Sequence, residues 1–534
     1  MIITCDVPPP TPDLPGTVPG ALDRAVRLFG DREGLVDGDL RLSFRELADR
    51  VDRAAAALIA SGIEAGDRVA IWGPNIHEWV VTALGVHRMG GVLVPLNTRF
   101  KGDEAAFILR ASGARLLFTV TDFLDTDYVA LLQAAEEMPK LDEIVVMRGP
   151  VRDETIALET FLERGAGVDR AIVAERSASI STDDLCDILF TSGTTGAPKG
   201  AMLRHGATVR AFDAWSSVIG LREGDRYLIV NPFFHAFGLK AGILASILKG
   251  ATIIPHPVFD VPSVMRRVAE EKVSMLPGPP AIYQTILDHP DLASFDMSSL
   301  RLAVTGAAAV PVEMIHRMRN ELSFENIVTG YGLTEATGIA TMCRHDDDPE
   351  TIANTSGRPI PGLELRIVGD DGTDVAAGEP GEVVVRGYNV MQGFFNNPEA
   401  TAEAIDEDGW LKTGDIGIVD ERGNLRITDR KKDMFIVGGF NAYPAEIENL
   451  ILANPAVGQV AVVGVPDHRL GEVGAAFVVP RAGATIDPDE LIEWCREKMA
   501  NYKVPRRVLV IDALPLNASN KVLKYRLREM ATED

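Results

Sequence analysis

The chain predicts an α/β fold of mostly parallel sheets, continued by a small barrel-like section and closed by a small α+β tail. Three observations carry this. Apolar strand-like runs alternate with helical runs through most of the first 300 residues, the pattern of a mostly parallel sheet. From about Ile360 the runs become short and alternating, with Gly and Asp turns between them. A basic cluster, Arg430-Lys431-Lys432, then precedes a compact tail of about 100 residues. A chain of 534 residues exceeds what one core supports. Two domains are therefore expected, a large multi-subdomain one over 1–428 and a small one over 429–534.

In chain order, the first twenty residues hold six prolines and read as an extended arm. Residues 21–28 read as a short helix. Ser43 and Glu46 form a capping box, and apolar residues run on from it to Leu58 and Ile59. The strand 69–72, the helix 76–89 and the strand 91–96 follow. The apolar run Ile188-Leu189-Phe190 is a buried strand leading into a Gly/Thr-rich loop. Beyond the loop come the strand 226–230, an apolar helix over 239–248, the strand 251–255 and the helix 261–271. Ser274-Met275-Leu276 and Leu302-Ala303-Val304 are further strands. Residues 364–368 and 381–386 open the barrel-like section.

Composition bounds the function. Apolar residues make up 46% and charged residues 24%, as in an ordinary globular protein. A net charge of -24 argues against a general nucleic-acid binder, which needs a basic face. Cys5, Cys186, Cys343 and Cys495 have neither metal nor redox spacing, and reduced thiols in a cytoplasm fit them. The N-terminus has no basic start before an apolar run, so no signal peptide is expected. No integral membrane segment is expected either, while peripheral membrane contact stays open.

The chemistry concentrates first in Thr191-Ser192-Gly193-Thr194-Thr195-Gly196-Ala197-Pro198-Lys199-Gly200. Glycines let backbone wrap an anion, hydroxyls and N–H groups donate to phosphate oxygens, and Lys199 adds a positive charge. The spacing is not that of the common P-loop, yet the segment reads as a nucleotide-triphosphate loop rather than a linker. In Gly330-Tyr331-Gly332-Leu333-Thr334-Glu335, Tyr331 could stack on a base and Glu335 could hold Mg²⁺; an ordinary turn is the plain alternative. Asp415, after Lys412-Thr413-Gly414, could accept two ribose hydroxyls or be a turn aspartate. Arg430 and Lys432 lie in the basic cluster, and Gly438-Gly439-Phe440-Asn441 makes a glycine turn before a helix. Lys521 and Lys524 sit in a short exposed element near the end.

Together and in this order, these segments resemble the adenylate-forming superfamily of acyl-CoA synthetases, luciferases and peptide-synthetase adenylation domains. The resemblance runs from about residue 21 to 528. Within the family the chain looks most similar to the fatty-acyl-CoA synthetase branch, and there to actinobacterial ligases of steroid (cholesterol) ring and side-chain breakdown. Segments such as Asn231-Pro232-Phe233-Phe234-His235, Leu276-Pro277-Gly278-Pro279-Pro280 and Val304-Thr305-Gly306-Ala307-Ala308 carry that closer likeness.

The resemblance implies an ATP-dependent acid–thiol ligase. A carboxylate attacks the α-phosphate of ATP, giving acyl-AMP and pyrophosphate; CoA then takes the acyl group and releases AMP. ATP would be held by Thr191, Ser192, Gly193, Thr194, Thr195, Gly196, Ala197, Pro198 and Lys199, by Gly306, Ala307, Ala308, Gly330, Tyr331, Gly332, Thr334 and Glu335, and by Asp415, Arg430 and Lys521. Thr191 and Glu335 would hold Mg²⁺. Lys199, His235, Glu335 and Lys521 would be catalytic, with His235 beside the substrate carboxylate unless it is a core histidine. Lys521 matches the lysine that bridges carboxylate, ribose and α-phosphate, where a fixed cation lowers the barrier. Here Asn520 stands where the family usually has Gly. The small domain would be mobile, turning about Lys432 to bring Gly438, Gly439 and Phe440 toward CoA.

No acid occurs between Phe233 and Lys240, which favours a plain carboxylic acid over an α-amino acid. A fatty acid and a steroid-derived propanoate both fit. The other readings are adenylation for a carrier protein, a luciferase-like oxidase and a non-catalytic nucleotide-binding module. Oligomeric state is not legible, and the resemblance adds only that homodimers are common among similar proteins.

Overall fold

The helix Phe44–Ala60 starts where its capping box puts it. Ser43 accepts from the Glu46 N–H, and the Glu46 carboxylate accepts from the Ser43 N–H. Its buried face, from Phe44 and Leu47 to Leu58, packs into the large core. In this computed structural model the described residues are 2–4, 11, 13–191, 198–306, 310–430, 433–437, 440–467, 470–499, 501–517 and 521–533. The chain divides into two compact units, one of residues 2–365 and 385–411, the other of 366–384 and 412–534. The boundary expected at 428/429 falls inside the second, within the strand Leu425–Arg430.

The larger unit contains an eight-stranded sheet. Its order is Gly393–Phe394, Lys199–Arg204, Leu185–Thr191, Val92–Leu96, Arg68–Trp72, Leu116–Val120, Glu143–Arg148 and Thr155–Ala157. The pairings from Leu185–Thr191 onward are parallel, and the two nearest Gly393–Phe394 are antiparallel. Parallel strands covered on both faces read as continuous apolar runs, which is why Val92–Leu96 and Leu116–Val120 are buried at every position.

A second sheet has the order Arg226–Ile229, Thr252–Pro255, Glu33–Asp37, Leu40–Ser43. A third has the order Leu302–Thr305, Asn326–Tyr331, Thr341–Met342, Arg358–Pro359. The strand expected at 274–276 reduces to one residue. Met275 bridges Tyr227 on one side and Leu302 on the other, because Pro277, Pro279 and Pro280 cut the ladder short. The helix expected over 239–248 starts two residues earlier. It is a π-helix over Phe237–Leu244 that becomes an α-helix over Ala245–Lys249.

A four-stranded sheet runs in the order Leu363–Val368, Gly381–Gly387, Leu411–Val419, Leu425–Arg430, the section expected from about residue 360, and the division between the units falls within its first three strands. The smaller unit also has a sheet of its own, in the order Phe440–Ala442, Phe435–Val437, Gly471–Pro480, Val457–Asp467, with Arg507–Val510 parallel to Gly471–Pro480. Alternate residues of its long strands face opposite sides. Val460 and Val462 join Ile447, Ile451 and Leu491 on one face, while Ala461, Val463 and Val465 join Leu527 and Ala531 on the other. No described helix is long and apolar enough to cross a membrane.

Candidate functional site

The strand Leu185–Thr191 and the strand Lys199–Arg204 pair antiparallel, with Thr191 directly opposite Lys199. The Gly/Thr loop therefore joins the ends of two paired strands. Residues Ser192, Gly193, Thr194, Thr195, Gly196 and Ala197 lie outside the described residues. Pro198 and Lys199 are half-buried, and the Lys199 ammonium stands 5.4 Å from the centre of the Phe394 ring, within the range of a cation–π contact.

Glu335 reaches this point from another sheet. It lies just past the strand Asn326–Tyr331, in the short turn Thr334–Ala336, and its Oε1 accepts from Thr191 Oγ1 at 3.1 Å. Both side chains are half-buried. The turn is strained: Thr337 has φ +59, a value rare for a β-branched residue. Asn389, fully buried, overrides the strain. Its amide donates to the carbonyls of Ala336 (3.1 Å) and Ile339 (2.7 Å), and its own carbonyl accepts from Thr337 Oγ1 at 2.5 Å.

The sequence reading missed the segment that holds these parts together. Met391 N–H donates to the Glu335 carbonyl, Gln392 N–H to Met202 and Phe395 N–H to Gly200. Residues 389–395 thus tie the Glu335 turn to the Lys199 strand. Nothing periodic marks them in the sequence; only the lone Asn389 beside Val390-Met391 hints at a buried polar clamp.

Close backbone approach explains the glycines of Gly330-Tyr331-Gly332. A Cβ on Gly332 would lie 2.3 Å from the Gly338 carbonyl oxygen, and one on Gly330 would lie 3.1 Å from the Thr341 carbonyl oxygen. Gly306 ends the neighbouring strand, where a Cβ would meet the Gly330 carbonyl oxygen at 3.2 Å. The end of Leu302–Thr305 and the half-buried Tyr331 therefore lie together. Ala307 and Ala308 lie outside the described residues.

His235 is exposed and not a core histidine. Its Nδ1 accepts from the Phe237 N–H at 3.2 Å, which assigns the ring proton to Nε2 in the neutral form. The next residue, Ala236, is 3.0 Å from where a Gly338 Cβ would stand. The His235 turn and the turn after Glu335 are thus in contact.

Five residues past His235, Lys240 enters a buried charged cluster that the sequence reading did not name. Lys240 Nζ is 3.0 Å from Asp187 Oδ2 and donates to Thr208 Oγ1 at 2.8 Å. His87 Nε2 is 2.9 Å from Asp187 Oδ1. Burial alone would raise the Asp187 pKa, but Lys240 and His87 hold it far below the usual carboxylate range. The adjacent Cys186 thiol is pushed up by burial and by the Asp187 charge. No acid lies between Phe233 and Lys240 in sequence, yet Asp187 brings one there in space, with both its oxygens already engaged. The signal was a single charge inside each of two apolar runs, Leu185-Cys186-Asp187-Ile188 and Gly238-Leu239-Lys240-Ala241.

In the smaller unit, Asp415 is buried at 6% exposure. Its N–H donates to Thr413 Oγ1, and Gly414 beside it needs φ +71. Asp415 pairs across the ladder with Arg430, whose side chain lies outside the description, as does that of Phe440. Lys432, Gly438, Gly439 and Asn520 also lie outside the described residues. Lys521 is exposed and held by its backbone: its N–H donates to Asn517 Oδ1 at 2.9 Å and its carbonyl accepts from the Asn517 N–H at 2.8 Å. Lys524 instead pairs with Glu448 at 3.1 Å and begins the helix Lys524–Glu533. The Lys524 charge is thereby engaged by Glu448.

Thr191 and Glu335 offer two hard oxygens beside a phosphate-type loop, a donor set that suits Mg²⁺. The cluster Asp37, His77 and Glu78 has metal-like spacing, but Arg148 donates to both carboxylates at 2.7 Å. Burial raises the Asp37 pKa, but the hydrogen bonds from His77 first, and Arg148 second, hold it down at about 2. That cluster is a closed ion-pair network.

Comparison with known proteins covers 96% of the chain. Residues 22–395 match the AMP-binding enzyme family, and residues 446–521 match the AMP-binding enzyme C-terminal domain. A 3-[(3aS,4S,7aS)-7a-methyl-1,5-dioxo-octahydro-1H-inden-4-yl]propanoyl:CoA ligase of Rhodococcus jostii is 49% identical over 96% of this chain and 99% of its own. The Mycobacterium tuberculosis protein of the same name is 51% identical over the same shares. Among solved structures, an anthranilate CoA ligase in complex with anthranoyl-AMP superposes with a TM-score of 0.85, at 28% identity and 98% coverage of both chains.

Proposed function

The chain belongs to the AMP-binding enzyme family, and from that premise we propose that it is an ATP-dependent acid–thiol ligase acting on a hydrophobic carboxylic acid. Its carboxylate oxygen bonds to the α-phosphorus of ATP as the bond to the bridging oxygen breaks and pyrophosphate leaves. The CoA sulfur then bonds to the acyl carbon, and AMP leaves with the electron pair of the broken acyl–oxygen bond. The preferred acid is the bicyclic octahydroindene-dione propanoate named for the relatives of about 50% identity; a fatty acid is the simpler alternative.

The supporting observation is the meeting of Thr191, Lys199 and Glu335. The Thr191 hydroxyl meets the Glu335 carboxylate from 144 positions away, and the Lys199 backbone stands opposite Thr191 across the ladder. In this reading residues 191–199 hold the β- and γ-phosphates, with Lys199 steadied over Phe394. Thr191 and Glu335 hold Mg²⁺, which when bound neutralises phosphate charge. Tyr331, with Gly306 and Gly330, takes the adenine, and Asp415 and Arg430 take the ribose. His235 keeps its Nε2–H toward the acid carboxylate. Lys521 places a cation on the α-phosphate oxygens, where negative charge grows in the transition state.

The domain of residues 429–534 turns between the two steps about Lys432, withdrawing Lys521 and presenting Gly438, Gly439 and Phe440 to CoA. Release of AMP measured for a panel of acids with ATP, Mg²⁺ and CoA tests the substrate. The bicyclic propanoate should give the highest kcat/KM; an amino acid as best substrate would contradict the reading.

A further inference from the structure

A π-helix eight residues long is uncommon, and such windings recur at functional sites. Here it spans Phe237–Leu244 and follows His235. The run is apolar on every side except at Lys240, so no amphipathic stripe fixes its rotation. Two kinds of contact do. Gly238 presses on the Pro232 carbonyl oxygen, where a Cβ would stand at 2.1 Å, and Gly242 presses on the Ile229 side chain at 2.9 Å. Lys240, 1% exposed, reaches Asp187, 1% exposed, at 3.0 Å.

Asp187 lies on the strand Leu185–Thr191, four residues before Thr191 and so on the same face. Its other oxygen, Oδ1, is held by His87, and the Cys186 thiol donates to Oδ2, the oxygen facing Lys240, at 3.1 Å. A line of contacts therefore runs from Thr191 along the strand to Asp187, across to Lys240 and back along the helix to His235. Lys240 sits five residues past His235, and the Leu239 N–H beside it donates to the His235 carbonyl at 3.0 Å.

We propose that the buried Lys240–Asp187 pair is the register pin of this π-helix, a positioning pair that fixes the His235 end of the acid pocket against the strand bearing Thr191. It sets affinity for the acyl part of the adenylate without touching it. Relaxation of one π turn to α geometry moves the preceding residues by one position, a rotation of about 100°, and carries His235 and Phe237 off their present line. A charged pair serves here because its geometry is discrete: the ammonium meets Asp187 and Thr208 in one register and neither in the next.

The inference rests on the acid-binding reading above. Removing Lys240 alone leaves a buried carboxylate short of a partner and destabilises the chain outright. The double variant Lys240→Met/Asp187→Asn removes both charges at similar volume, which buried pairs often tolerate. The test is calorimetric titration of the full-length chain with AMP and with an unreactive sulfamoyl-adenosine carrying the bicyclic propanoyl group. The double variant should bind AMP within about twofold of wild type and the acyl probe about tenfold more weakly. Thr208→Val takes one partner from Lys240 and leaves both charges; it should weaken the acyl probe about threefold with AMP unchanged, and it stands as the test if the double variant does not fold. A merely structural pair lowers the melting temperature and leaves the ratio of the two affinities at the wild-type value, which overturns the proposal. A wild-type chain that gains nothing from the acyl group overturns the acid-binding reading together with this one. A wild type that gains, beside variants that gain as much, overturns this one alone.

Discussion

Thr191 Oγ1 donates to Glu335 Oε1 across 3.1 Å, joining residues 144 positions apart. Glu335→Gln keeps an oxygen for that hydrogen bond and removes the charge. The Mg²⁺ concentration giving half-maximal pyrophosphate release should rise at least about tenfold, and the saturated rate should fall about 10²-fold. Titration of Mg²⁺ at fixed ATP checks this. An unchanged midpoint would remove Glu335 from the metal site.

Asn389 holds the strained Thr337 turn from a buried position. Asn389→Ala takes the amide donor from the Ile339 carbonyl and leaves the Ala336 carbonyl only the Ile339 N–H at 3.3 Å. The expected cost is about 2 kcal/mol, read as a lower urea midpoint at unchanged slope. Pyrophosphate release should fall more than stability alone explains, because the turn orients Glu335.

Gly332→Ala tests close approach rather than charge. The added Cβ would sit 2.3 Å from the Gly338 carbonyl oxygen and 2.6 Å from Ile339 Cα, so backbone must move in the same turn. A loss of activity with a KM for ATP raised severalfold is expected. Wild-type kinetics would show that the turn yields without consequence.

How far these features could be read in advance differs by kind. The Ser43–Glu46 capping box and most strands were legible, because a local pattern specifies them. The π winding of Phe237–Leu244 was not, since an all-apolar run carries no period. Lys240 and Asp187 were visible as lone charges, but only the fold pairs them. Thr337 defied propensity, its left-handed backbone being set by Asn389 from another segment. The choice of Lys521 over Lys524 rested on resemblance alone; that Lys524 pairs with Glu448 is set by the fold and could not be read from the two lysines' spacing.

Acid should weaken the fold through His205. Burial first, and the neighbouring His87 charge second, push its imidazole down to about 3 from an ordinary 6.5. Its Nε2 has no partner among the described residues. The unfolded chain takes up a proton below pH 6.5 while the folded chain does not until about pH 3, so this contribution is complete above 6.5 and is lost as pH falls toward 3. At pH 4 the loss is about 3 kcal/mol. Urea unfolding from pH 7 to pH 4 should show wild type falling more steeply than His205→Gln by that amount; parallel profiles would contradict it.

Separate assay of the two half-reactions in Lys521→Ala reaches the centre of the account. Acyl-AMP formation from acid and ATP should fall by about 10²–10³-fold, while conversion of supplied acyl-AMP to acyl-CoA should stay within about threefold of wild type. An equal loss in both steps would contradict a lysine dedicated to adenylation.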